Sequence, residues 1–177
     1  MPVLTDPPSP WVRRFLPLIR PGGRVLDLAA GGGRHTRLLR EHGFAVCAVD
    51  RDAERLRALA EHGCVIREID LETGAPWPLG GGYDGIVVTN YLHRPLFPAI
   101  SAALAPGGAL IYSTFMQGNE RLRPPRNPAF LLRPRELLEA FAALTVVAFE
   151  QGEVSVPGPG VIQRLAAVNG PPGALPD

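Results

Sequence analysis

Short apolar runs alternate with amphipathic segments along most of this chain. Val25-Leu26-Asp27-Leu28 is a short apolar run with an acid in it, Phe44 to Asp50 is a continuous apolar run ending in an acid, and Cys64 to Ile69 is a strand pattern leading to Asp70. The run ending in Asp50 predicts a strand buried on both faces of a parallel sheet. Tyr83 to Thr89, Ala109 to Thr114, Leu144 to Glu150 and Val161 to Val168 predict four more. Between them lie helical patterns. Trp11 to Ile19 has Trp11, Phe15 and Leu18 or Ile19 on one face, and Pro10 suits a first turn. This helix is expected to pack on the domain edge, or else over a bound ligand. Arg34 to Arg40 predicts a helix with Leu38 and Leu39 inward, stopped by Gly43. Ala53 to Ala60 predicts another, capped by Asp52. Further helices are expected from Pro95 to Leu104 and from Pro134 to Ala142.

Glu-His-Gly occurs at 41–43 and again at 61–63, and the strand-terminal acids Asp50 and Asp70 show the same spacing. That echo predicts two successive βα units of one size. It also assigns His42 and His62 to last helical turns, where the dipole favours them. Residues 72–82, rich in Gly and Pro, predict a loop in place of a helix. Residues 116–133 are polar, Arg- and Pro-rich and aperiodic. The last two strands are joined too closely for a helical crossover, which predicts a hairpin. The expected organisation is a single α/β domain over 11–168. An irregular arm precedes it at 1–10 and a disordered tail follows at 169–177.

Composition narrows the chemistry. At 177 residues and net charge +1, the chain offers no general electrostatic pull toward nucleic acid or membrane. All 18 basic residues are arginine. Without lysine there is no Schiff-base lysine and no P-loop lysine. Cys47 and Cys64 lie in or beside strands and read as buried small hydrophobes. The N-terminus lacks a secretory pattern, and no apolar run approaches the ~18 residues that span a bilayer. A cytoplasmic location is the expectation. No cluster with metal-ligand spacing stands out.

The stretch Val25 to Thr36 carries the strongest signal. A strand, a turn with Gly31, Gly32 and Gly33, and a helix follow without spacers. Such a turn lets a ligand approach the main chain, beneath the free N–H groups of the helix. In parallel sheets ligands bind beyond the C-terminal strand ends. Asp27, Asp50, Asp70 and Thr89-Asn90 come at or just past the ends of four strands, so they should converge on one rim. Asp50 can accept two hydrogen bonds from a ribose diol. Two cofactors suit this spacing. A dinucleotide fingerprint places a third glycine where Thr36 stands, and Asp27 would oppose a pyrophosphate. S-adenosylmethionine carries an ammonium and a sulfonium and no phosphate, so it suits the acid. The sequence favours it over NAD.

Val25 to Thr36 resembles the first motif of class I S-adenosylmethionine-dependent methyltransferases. Ala48-Val49-Asp50 resembles their second motif, and Ile69-Asp70-Leu71 their adenine-side acid. Tyr83 to Val88 resembles the fourth strand, and Leu104 to Gly108 the turn before the fifth. In its small size the chain also resembles the tellurite-resistance and thiopurine methyltransferase-like branch. The resemblance implies a Rossmann-like, seven-stranded, mostly parallel sheet of order 3-2-1-4-5-7-6, the last strand antiparallel, with helices on both faces. It implies S-adenosylmethionine as cofactor. Asp27 would serve the methionine ammonium, and Ala29, Gly31 and Gly33 the turn around it. Asp50 would bind the ribose and Arg51 flank the adenine. Asp70 and the Leu71 N–H would bind adenine, with Thr89 and Asn90 beneath the methionine.

In-line displacement at the sulfonium methyl needs positioning and water exclusion more than acid–base chemistry. A thiolate or metalloid acceptor needs no base, whereas an oxygen or amine acceptor can require one. The candidate base is His93, on the loop after the fourth strand. A surface or structural histidine is the competing reading. His35 reads as a turn-packing residue. Tyr91 is a candidate for the acceptor pocket. Arg121, Arg123 and Arg126 either decorate a solvated loop or form an acceptor lid that pairs with an anion. The expected acceptor is a small molecule. Nucleic acid is disfavoured, because the Asn/Asp-Pro-Pro-aromatic signature is replaced by Thr89-Asn90-Tyr91-Leu92. A cofactor-binding protein without transferase activity and an NAD-dependent oxidoreductase are the alternatives.

Overall fold

Alternate residues of each central strand go to opposite cores. In the computed structural model, which describes residues 6–60, 63–155, 158–171 and 173, this alternation organises the whole chain. β1 (Arg24–Leu28) sends Leu26 and Leu28 to one side and Val25 to the other. β2 (Ala45–Asp50), β4 (Tyr83–Thr89) and β5 (Leu104–Phe115) divide their apolar residues in the same way. With β3 (Val65–Glu68), β6 (Thr145–Val154) and β7 (Gly160–Val168) they form one sheet of order β3-β2-β1-β4-β5-β7-β6. β7 runs antiparallel to both β5 and β6, and the other pairings are parallel. The topology implied by the family resemblance is therefore the one observed.

Helices cover both faces. α1 (Pro10–Phe15), α2 (Arg34–Glu41) and α3 (Arg57–Ala60) lie on the Val25 side, while α4 (Phe97–Ala103) and α5 (Glu136–Ala140) lie on the Leu26 side. The first helix departs from expectation. It is no edge decoration: Trp11, Val12 and Phe15 are buried, and the Trp11 indole N–H donates to the Leu165 carbonyl at 3.3 Å. The reason lies at the other end of the chain. β6 and β7 close as a hairpin with no crossover helix, so the β5–β7 face needs a cover, and α1 supplies it.

Three further boundaries differ. The predicted helix from Ala53 begins as a 3₁₀ turn (Glu54–Leu56), with α3 as its single α-helical turn. Asp52 accepts from the Glu54 N–H at 3.2 Å and holds the tight turn. The stop assigned to Glu61 and His62 lies outside the described residues. β5 starts at Leu104, with the Ala105–Gly108 turn inside it as a register shift. That turn is clamped by Asn169, whose carbonyl accepts from Gly107 N–H at 2.6 Å and whose N–H donates to the Gly108 carbonyl at 2.8 Å. Asn169 therefore belongs to the folded domain and not to the tail. Residues 72–82 form no helix or strand, as expected, and 116–133 hold two short 3₁₀ turns and an isolated parallel bridge between Met116 and Leu132. Both cysteines are free and buried. No helix of the described residues is long and apolar enough to cross a membrane.

Candidate active site

The turn between β1 and α2 is built from left-handed residues. Ala29, Gly31 and Gly33 have φ of 56°, 54° and 75°. Gly33 is also closely packed: a Cβ there would stand 2.6 Å from Leu59 Cδ1 and 2.9 Å from Leu56 Cδ2, so those side-chain ends would have to shift. Ala29 and Asn90 (φ 54°) are two of three non-glycine residues with positive φ among the described residues. They end β1 and β4, on the rim where ligands bind such sheets. Strain held in place by surrounding structure clusters at functional sites.

Asp50, the last residue of β2, closes the turn from across the sheet. Its Oδ2 accepts from the Gly31 N–H at 2.8 Å and its Oδ1 from the Asp52 N–H at 3.0 Å. Asp70 is anchored similarly, accepting from the Glu72 N–H at 2.9 Å. Both carboxylates thus take fixed positions on the rim.

Two polar groups sit under the turn. Asp27 is buried and accepts from the Thr36 hydroxyl at 2.6 Å. Burial raises its carboxyl to about 6, the Thr36 hydrogen bonds opposing the rise. His35 is also buried. Its Nε2 lies 3.0 Å from the Ser9 N–H and accepts from it, so Nδ1 carries the ring proton and donates to Thr89 Oγ1 at 3.2 Å. Burial lowers its imidazole to about 3, with Arg34 adding repulsion. A neutral ring fits this role of joining the N-terminal arm, the turn and β4. His35 is a turn-packing residue, as the sequence indicates.

Two cavities open side by side along the rim. The first, about 340 Å³, is lined by Ala29, Asp50, Arg51, Asp70 and Leu71, with Val49 and Ile69 beneath. The second, about 270 Å³, is lined by Leu92, Thr114, Phe115 and Pro125. Glu72, Asn90, Tyr91 and Phe130 line both. Burial and the nearby carboxylates of Glu72, Asp70 and Asp50 push the Tyr91 phenol well above its ordinary range, so it stays protonated. The Tyr91 carbonyl accepts from the buried Tyr112 hydroxyl at 2.8 Å, which fixes the loop to the core.

Most of the residues picked out from sequence meet here. Ala29, Asp50, Arg51, Asp70, Leu71, Asn90 and Tyr91 line a cavity; Gly31 and Gly33 shape the turn. Asp27 and Thr89 stand one layer below and contact Thr36 and His35 instead. His93 lines neither cavity, though its neighbours Tyr91 and Leu92 do. It stands instead at the N-cap of the 3₁₀ turn Arg94–Leu96. Arg121, Arg123 and Arg126 also line neither cavity. Arg121 donates to Gly118 O, Arg126 to Glu120 O, and Arg123 lies over the Phe115 ring, so these cations tie the segment to itself.

What the sequence left unnoticed is how 116–133 is held. Asn119 is fully buried; its Nδ2 donates to the carbonyls of Arg123 and Pro125, and its Oδ1 accepts from Val161 N–H at 3.1 Å. Arg94 reaches across from the other side. It pairs with the buried Glu136 at 2.6 Å and donates to Ala129 O and Leu131 O. These clamps present Phe130 to both cavities. An aromatic in a polar stretch was the available signal. Among the described residues, no group of three or more His, Cys, Asp or Glu side chains could hold a metal ion.

The comparisons with known proteins agree with this architecture. Residues 5–144 match the model of a methyltransferase domain family. A protein-L-isoaspartate O-methyltransferase of Methylorubrum populi is 32% identical over 108 residues, covering 59% of this chain and 50% of that protein. The chain spans half or less of the length of the curated relatives it matches. TehB from Haemophilus influenzae superposes with a TM-score of 0.68 at 20% identity, over 86% of this chain and 59% of that one. A 1,6-didemethyltoxoflavin-N1-methyltransferase of Burkholderia thailandensis, solved with 1,6-didemethyltoxoflavin and S-adenosylhomocysteine, gives 0.68 at 21%, over 91% and 76%. With motif order, sheet topology and family model concurring, the chain belongs to the class I S-adenosylmethionine-dependent methyltransferases.

Proposed function

We propose that this protein transfers the methyl group of S-adenosylmethionine to a small-molecule acceptor. One observation carries the reading: two cavities adjoin on the strand-end rim and share a wall. The larger takes the cofactor. Asp50 holds the ribose hydroxyls, exchanging its backbone partner Gly31 for them, and Asp70 with Leu71 N–H holds the adenine. Asp27 acts from beneath, through the turn, on the methionine ammonium. The smaller cavity takes the acceptor. Its volume of about 270 Å³ suits a small molecule, and Leu92, Phe115, Pro125 and Phe130 give it apolar walls.

Calorimetric titration with S-adenosylmethionine, S-adenosylhomocysteine and NAD tests the cofactor. Binding of the first two is expected; binding of NAD alone would overturn the reading. Mass spectrometry of small-molecule mixtures incubated with protein and S-adenosylmethionine tests transfer. Cofactor binding without any methylated product would instead favour a binding protein that acts through a partner.

A further inference from the structure

Glu72 stands where the two cavities meet, and its role rests on the assignment of one cavity to the cofactor and the other to the acceptor. It leaves β3 two residues past Asp70, on the loop that replaces a helix, and the Asp70 carboxylate holds its backbone N–H. Tyr91 lines both cavities with it and is anchored through its carbonyl, which accepts from the Tyr112 hydroxyl. Beyond this junction the acceptor cavity turns apolar, with Leu92, Phe115, Pro125 and Phe130 as walls. Among the described residues, no arginine lines it. An anionic acceptor would therefore meet a carboxylate and find no cation to offset its desolvation. A cationic or neutral nitrogen meets that carboxylate where the two cavities join.

We propose that Glu72 is the general base of the transfer and that the acceptor is a small amine on an apolar or aromatic body. The ammonium form is drawn to Glu72 and gives its proton to the carboxylate. The freed nitrogen lone pair forms the N–C bond to the methyl carbon. The C–S bond breaks with its electron pair on sulfur, and the sulfonium becomes a neutral thioether. The product is a methylammonium, and Glu72 returns its proton to solvent.

The test uses the full chain with four probes: benzylamine, 2-phenylethylamine, benzenethiol and benzoate. Binding of benzylamine and benzoate to the S-adenosylhomocysteine complex is read by calorimetry, and products with S-adenosylmethionine by mass spectrometry. Benzylamine is expected to bind at least about tenfold tighter than benzoate, and Glu72→Gln to abolish that preference. Methylation of both amines in Glu72→Gln should fall about 100-fold, a far larger loss than in S-adenosylhomocysteine affinity or in methylation of benzenethiol, which needs no base. Benzoate binding as well as benzylamine, or Glu72→Gln keeping both preference and turnover, overturns the inference while leaving methyl transfer standing. Absence of S-adenosylhomocysteine binding to the unaltered protein would instead remove the assignment on which it rests.

Discussion

The two cavities adjoin, yet they are built in different ways. The larger is made at strand ends. Asp50 ends β2 and Asp70 follows β3, and the parallel register places Asp27, Ala48 and Val87 side by side across β1, β2 and β4. Position on the rim is then a matter of counting along each strand. The smaller cavity is made of loops held by distant partners. Asn119 bonds Val161 and Arg94 bonds Glu136, each pair 42 residues apart in sequence. A ligand site can thus be half framework and half suspension. The first half depends on the sheet and the second on a few clamps.

That contrast makes the halves separable. Asp50→Ala attacks the framework half. It removes the carboxylate proposed to hold two ribose hydroxyls, so cofactor affinity should fall by about 100-fold or more in calorimetry, with the 116–133 segment undisturbed. Unchanged affinity would end the ribose assignment.

Asp27→Asn probes the layer beneath. A carboxyl raised to about 6 binds its proton more tightly in the folded state. Between the ordinary Asp range and pH 6 the folded state therefore holds more protons than the unfolded, and stability declines as pH rises. At pH 7 the ionised, buried group costs the fold about 3 kcal/mol, of which the amide should recover about 2. Near pH 4 the substitution should be close to neutral. Urea melts at the two pH values measure this, and equal effects at both would contradict the buried-carboxyl account.

Arg94→Ala attacks the suspended half. Glu136 is buried and Arg94 about one-third exposed, so losing the pair and two carbonyl contacts should cost about 2 kcal/mol. Burial pushes the Glu136 carboxyl up, but the Arg94 pairing and the Arg133 N–H outweigh it and hold the group below its usual range. The stability it contributes is present above the ordinary Glu range and disappears as pH falls through the lowered value. Binding of S-adenosylhomocysteine should stay within about threefold, whereas proteolysis within 116–133 should accelerate. Parallel loss of cofactor affinity would show that the halves are one unit. The smallest effect is expected at His93. His93→Ala should leave cofactor affinity and turnover within about twofold, since the residue lines neither cavity. A large drop in turnover would return the base to His93 and count against Glu72.

Much of the fold was legible in the chain itself. Apolar runs ending in Asp50 and Asp70 marked strands and their C-terminal rim. The glycine turn marked the ligand corner, and the short link at 151–160 marked the antiparallel hairpin. These signals are local: periodicity reports burial of an element, and an element's end reports its rim. The misplaced residues share a different trait. Arg121, Arg123 and Arg126 were chosen for charge and His93 for its chemistry, but the position of each relative to the cavities is settled by contacts far away in sequence. Glu72 carried no pattern, and Phe130 only that of an aromatic in a polar stretch. The chain's own pattern was therefore enough for the strands and their rim, because backbone register converts spacing into position, whereas the strand order came from the family resemblance. The second cavity and the use of α1 as a core helix were settled by tertiary packing. Both arise from surfaces left uncovered once the sheet forms, and such vacancies are properties of packing that no single segment encodes.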